Sequence, residues 1–176
     1  GQSVRLGEVV YTLDDAVYKD GTVYASGVIR PAEDANVMLL AEDYSVNDPA
    51  GYLLFYGEEE IPDDAPTYAE LAQERGAKIL HVDAIANGVL EENGELNASS
   101  IGYGALPQRD GTIRFFFEFE GGESEIARAE KYEVSVYIAN WEVTPEGEWL
   151  REEPENTWLY EDWTVTVEPQ MKEDGK

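Results

Sequence analysis

From Glu8 to Tyr18 the chain reads EVVYTLDDAVY, and Thr22–Arg30 follows as TVYASGVIR; apolar and polar residues alternate through both. A period of two sends successive side chains to opposite faces of an extended backbone, so each run predicts a strand with one buried face. Asp20-Gly21 lies between them. That dipeptide predicts a tight hairpin, because a type I′ turn needs φ > 0 at both central positions. Pro31 ends the second strand. Two more strands are expected over Asn36–Tyr44 and Gly51–Gly57, around the turn SVNDPAG. The series resumes with Ala77–Gly88, Ser99–Leu106, Thr112–Phe119, Lys131–Val143 and Thr157–Pro169, and EENGEL (Glu91–Leu96) adds a second hairpin signal.

One segment breaks the alternation. PTYAELAQERGAK (Pro66–Lys78) spaces Tyr68, Leu71 and Ala72 as a narrow helical face. Thr67 with Glu70 three residues later forms a capping box, and Gly76 stands where a left-handed residue stops a helix. A short helix over about residues 67–75 is therefore expected. Many strands, frequent turns and one helix predict an all-β fold of antiparallel strands, a sandwich or barrel. Alternating strand–helix units, the mark of a parallel α/β sheet, are missing. One domain is expected over residues 1–170, with residues 171–176 as a polar tail. The phrase Asp-Gly-Thr occurs twice, at Asp20–Thr22 and Asp110–Thr112, each time after a basic residue and before a strand. It reads as turn chemistry, not as a repeated unit.

Charge narrows the partners. The chain carries 38 Asp and Glu against 12 Lys and Arg, a formal charge of −26. Nucleic acid is excluded by that field, since affinity for phosphate rests on Lys and Arg releasing counterions. Direct binding to an anionic membrane is excluded for the same reason. Cations and basic patches are favoured. The 43% hydrophobic content sets the chain apart from disordered acidic sequences. No cysteine is present, which removes disulfides, thiolate metal sites and cysteine nucleophiles. The start, Gly1-Gln2-Ser3, reads as a trimmed boundary, so a signal or anchor segment is expected to lie outside this chain.

Catalytic chemistry has little to build on. His81 is the sole histidine, and Asp83 two residues on shares its strand face, an arrangement that could orient an imidazole. No G-x-S-x-G elbow supplies a nucleophile, so His81 reads as a surface or edge histidine beside an acid. GGES (Gly121–Ser124) lacks the lysine of a phosphate-binding loop. Carboxylates are too abundant to single out a hydrolytic pair. Calcium is the cofactor the composition allows, since its sites gather oxygens from loops. Asp43, Asn47 and Asp48 in EDYSVNDPAG, and Glu58 and Asp63 in EEEIPDD, are the candidate ligands, although neither loop matches the EF-hand spacing. Among the aromatic residues Trp149 stands out. It lies in the polar loop TPEGEWLREEPEN, where packing alone gives a tryptophan little purpose, and it is the candidate ligand contact.

AEKYEVSVYI (Ala129–Ile138) places Tyr132 at the start of a strand, with Val134 two residues later. This resembles the tyrosine corner of immunoglobulin-like sandwiches, with Val134 in place of the antibody cysteine. Together with VVYTLDDAVYKDGTVYASGVI near the start and WTVTVEP near the end, it is similar to the immunoglobulin-like extracytoplasmic domains of Gram-positive anti-sigma-factor-like and uncharacterised surface proteins. The resemblance covers about a third of the chain, and the middle, with its helix and acidic loops, departs from a minimal sandwich. It implies an immunoglobulin-like fold, a location outside the cell or at its surface, and a non-catalytic binding or sensing role with a protein or cell-surface glycan as partner. A calcium-assisted carbohydrate-binding or adhesion module is one alternative; a hydrolase with unidentified acids is another.

Overall fold

The computed structural model describes residues 2–19, 22–51, 61–91, 94–95, 98–121, 132–150 and 157–167. The described strands are β1 (Gln2–Leu6), β2 (Val9–Lys19), β3 (Thr22–Pro31), β4 (Val37–Ala41), β5 (Lys78–Glu91), β6 (Gly94–Glu95), β7 (Ala98–Pro107), β8 (Ile113–Gly121), β9 (Tyr132–Val143) and β10 (Leu159–Val167). One helix, α1 (Tyr68–Arg75), stands between β4 and β5. The strands form two sheets, ordered β1-β2-β3-β8-β7 and β10-β9-β5-β4, with β6 paired to β5. The all-β architecture with one short helix is the one the alternation predicted.

Alternation sets what each sheet buries. Tyr11 and Leu13 of β2 and Phe115, Phe117 and Phe119 of β8 share a core with Val82 and Ala84 of β5 and Val136 and Ile138 of β9. Each large side chain withdrawn from water contributes ~1.5–3 kcal/mol. The inward phase of β2 is kept by a bulge: pairing with β3 shifts between Leu13 and Asp15. Asp14 is the additional residue; it points to solvent and accepts a hydrogen bond from Arg114 at 3.3 Å. A polar bolt joins the sheets. The Tyr11 hydroxyl donates to the Ala139 carbonyl at 2.8 Å, and the Asn140 amide donates to the Leu6 carbonyl at 3.1 Å. Burial raises the Tyr11 pKa, so the phenol keeps the proton it donates.

Three expectations change. The sandwich is not wholly antiparallel: β4 and β5 pair in parallel, with Val37 opposite Lys78 and Ala41 opposite Val82. Parallel neighbours need a crossover, and the connection through α1 supplies it. The strand expected over Asn36–Tyr44 ends at Ala41, where Glu42 and Asp43 turn the chain. β1 was not expected; its five residues pair with β2 from Gln2–Leu13 to Leu6–Val9. Of the strand expected over Gly51–Gly57, Gly51 lies in a turn at φ 79, and residues 52–57 lie outside the described residues, as does the 171–176 tail.

The described turns behave as their chemistry requires. Lys19 pairs with Thr22, which leaves Asp20-Gly21 as a two-residue connection outside the described residues. At the second Asp-Gly-Thr, Gly111 takes φ 88, and Asp110 Oδ1 accepts from the Thr112 hydroxyl at 2.6 Å and its N–H at 3.0 Å. These bonds, the hydroxyl first, hold the Asp110 pKa below its usual value. The helix has the expected caps: Thr67 and Glu70 bond each other's backbone N–H, and Gly76 is left-handed at φ 61. Thr67→Ala is expected to lower stability by ~1 kcal/mol in a denaturant melt. A neutral result would mean that tertiary packing alone holds the helix.

Candidate ligand-binding face

β5 turns its even-numbered residues, Leu80 to Ala86, into the core. Its odd-numbered residues therefore face outward: His81 pairs with Trp141 of β9, Asp83 with Ala139 and Ile85 with Tyr137. On the far side, Tyr160 of β10 pairs with Ala139 and Asp162 with Tyr137. Near β4 this outer face is covered, since α1 lies against β4 and β5 and buries Tyr68 and Ala72. Leu40 and Ile79 are buried as well. Beyond that cover the face carries aromatic rings.

These rings make two sets of contacts that meet at a pocket. His81 stacks on Trp141 with centroids 5.4 Å apart. Trp149 meets Trp158 edge to face at 5.3 Å and 83°. Trp158 meets Tyr160 at 5.6 Å, and Tyr160 stacks on Tyr137 at 6.2 Å. Trp141, Trp149 and Trp158 also line a pocket of about 170 Å³. Trp158 is 43% exposed and Tyr160 64%.

The loop that delivers Trp149 is built onto the sheet. Trp149 bridges to Val143, and Leu150 N–H donates to the Glu142 carbonyl at 3.1 Å. The Thr157 hydroxyl donates to the Leu150 carbonyl at 3.2 Å and accepts from Glu142 N–H at 2.8 Å. One threonine thus fastens both ends of the loop to β9. Trp149, singled out by its loop position, sits on the face; Trp141, Tyr137 and Tyr160 join it through strand register, and Trp158 stands one residue before β10. Their signal was outward phase: odd-numbered residues on β5 and β9, even-numbered on β10.

Acids border the rings. The Asp83 carboxyl lies against that of Glu42, whose charge and hydrogen bond favour the protonated form of Asp83. Burial first, then the Glu42 charge and hydrogen bond, push Asp83 up to about 7. Carboxyls in direct contact leave no room for a sugar and a water, which glycoside hydrolysis places within a gap of ~5–9.5 Å. His81 Nδ1 lies 3.3 Å from the Leu40 carbonyl. Burial lowers the His81 pKa, which keeps the ring neutral at pH 7. The partner of Asp83 is thus Glu42, from the turn after β4.

The calcium candidates among the described residues lie in separate turns. Asp43 and Asp63 are exposed. Asn47 N–H donates to Ser45 Oγ at 3.1 Å, and Asp48 Oδ2 accepts from Ser45 N–H at 2.8 Å, so both residues close their own turn. Glu58 lies outside the described residues. Among the described residues no three His, Asp or Glu side chains gather to hold a metal ion. Tyr132 opens β9, and its side chain is not among those described.

No protein-family model, curated protein or solved structure matches this chain. The face itself is the guide to function.

Proposed function

We propose that the chain is a non-catalytic binding module of a bacterial surface or secreted protein, and that its partner docks on the aromatic face of β5, β9 and β10. One observation carries this reading: six rings from His81 to Tyr137 gather on a sheet face, with Trp158 and Tyr160 left open to water. A sheet gains stability by burying aromatic rings, so a group of half-buried rings with two of them open to water favours an interaction surface. Tyr and Trp anchor partners well, because they bring large rigid area at a small entropy cost. The likeness to Gram-positive extracytoplasmic sandwiches supports a partner at the cell surface, a glycan or a protein.

Cosedimentation with purified Gram-positive cell walls tests this. The chain is expected to pellet with the walls, and Trp158→Ala or Tyr160→Ala to weaken that binding about tenfold or more, as loss of an interface anchor does. Tyr103→Ala, which removes a 60% exposed ring from β7 of the other sheet, is expected to change nothing. Binding that survives protease treatment of the walls assigns a glycan; binding that is lost assigns a protein. No cosedimentation, or equal binding by all variants, overturns the proposal.

A further inference from the structure

We propose that the corner made by Trp141, Trp149 and Trp158 holds an alkylated ammonium group of the partner, a quaternary ammonium of the choline type. The inference rests on the reading that this face binds the partner, and it names the chemistry of the central contact. Shape comes first. Trp149 and Trp158 stand nearly perpendicular at 83°, so they form two walls of a corner, and Trp141 forms the third. The pocket holds about 170 Å³. A drug-sized ligand needs ~300–1,000 Å³, whereas ~150 Å³ suffices for a group the size of benzene. The site fits one compact group.

Charge selects among compact groups. The chain carries −26, and beside Trp149 in the same loop Glu146 and Glu148 are exposed. An anion entering this field is repelled and a cation is drawn in. Indole faces carry the negative side of a quadrupole, and tryptophan is the strongest of the aromatic partners for a cation.

The lining then distinguishes types of cation. A lysine ammonium is strongly hydrated and needs acceptors for three N–H groups when it leaves water. Among the described residues the pocket lining is tryptophan, whose indole donates and does not accept. A quaternary ammonium has no N–H to satisfy and presents methyl groups to the rings. His81, stacked on Trp141 at 5.4 Å, adds a ring to the corner's edge. With its pKa lowered by burial, it brings no competing positive charge at pH 7.

Choline and its neutral isostere 3,3-dimethylbutan-1-ol differ only in having nitrogen or carbon at the centre of the methyl cluster, so together they isolate the charge. Each is titrated into the whole chain to about 100 mM, a range that covers millimolar affinities. Ionic strength is matched with sodium chloride, because any salt screens this surface. The indole N–H signals of the four tryptophans are followed by NMR. Choline is expected to move the signals of Trp141, Trp149 and Trp158, while Trp163, buried in the core, stays fixed. Its affinity is expected to exceed that of the isostere by about tenfold. Trp158→Ala, at a 43% exposed position, should remove the response without unfolding the chain, and Tyr103→Ala should preserve it. Equal binding of choline and isostere, no response to either, or uniform shifts that include Trp163 each overturn the cation site. Cell-wall binding that persists without a choline response overturns this inference alone and leaves the binding face standing.

Discussion

Gly27→Ala is expected to lower stability by more than ~3 kcal/mol, the upper end of what an overpacked core costs, and in practice to prevent folding at 37 °C. Gly27 lies on β3, opposite Leu13 of β2 and Phe115 of β8. A Cβ at this position would stand 2.1 Å from the Thr12 carbonyl oxygen and 2.5 Å from Phe115 Cζ. Neither neighbour can move cheaply. The carbonyl belongs to the ladder next to the Asp14 bulge, and the Phe115 ring is fully buried. Gly104 on β7 provides the control. Its Cβ would meet Phe116 Cε1 at 2.6 Å, an equally hard contact, but that ring is 37% exposed and can swing outward. Gly104→Ala is therefore expected to cost only about 1 kcal/mol, that of a yielding side chain. Urea melts of both variants check the pair. Equal losses would mean that Phe116 is as firmly held as Phe115.

Gly27 also illustrates how far sequence reasoning reaches in this chain. TVYASGVIR announces a strand by its alternation, and Asp20-Gly21 announces the hairpin before it; both features are local. What Gly27 makes room for comes from Phe115, nearly ninety residues away, and from a bulge that no composition rule announces. The same boundary applies elsewhere. Thr67, Glu70 and Gly76 disclosed the helix because a cap lies within one turn of chain. That the helix serves a parallel crossover between β4 and β5 depends on which strand β5 chooses as neighbour, and periodicity is silent on that choice.

The binding face follows the same logic. Trp149 was visible as an oddity within its own loop. The group of rings from His81 through Trp141 to Tyr160 exists only once β5, β9 and β10 are in register, for each ring alone resembles an ordinary strand aromatic. Asp83 was paired by sequence with His81, its neighbour at i−2. The fold instead brings Glu42 from the turn after β4, because parallel pairing sets Ala41 beside Val82.

That carboxyl pair underlies the second large effect: the stability of the chain is expected to fall as pH rises from about 4 to about 7 and then to level off. Asp83 has its pKa raised from 3.8 to about 7 by burial and by the charge and hydrogen bond of Glu42, with Asp43 adding to it. Between these values the folded chain binds a proton that the unfolded chain has released. Stability therefore declines with pH across that window, the reverse of an acid in a salt bridge. At ~1.4 kcal/mol per pH unit the full shift would be worth ~4 kcal/mol, and partial solvation of the pair, with Glu42 exposed, brings the expected effect to ~2 kcal/mol. Asp83→Asn separates this from everything else that titrates. The amide stays neutral and can still donate to Glu42. The variant should match the parent near pH 4 and exceed it by ~2 kcal/mol at pH 8, a rise of ~4–8 °C in Tm for a chain of this size. General charge repulsion also relaxes at low pH, but both proteins carry it, so the difference curve removes it. His81 acts in the opposite sense: with a folded pKa below 6.5 it adds stability as pH rises through that region, again in both proteins. A difference curve that is flat from pH 4 to 8 would show that Asp83 titrates as an ordinary surface acid. A variant less stable than the parent at pH 8 would show that the ionised carboxylate is being used. In that case the face beneath the aromatic rings would hold a fixed negative charge, not a protonated acid.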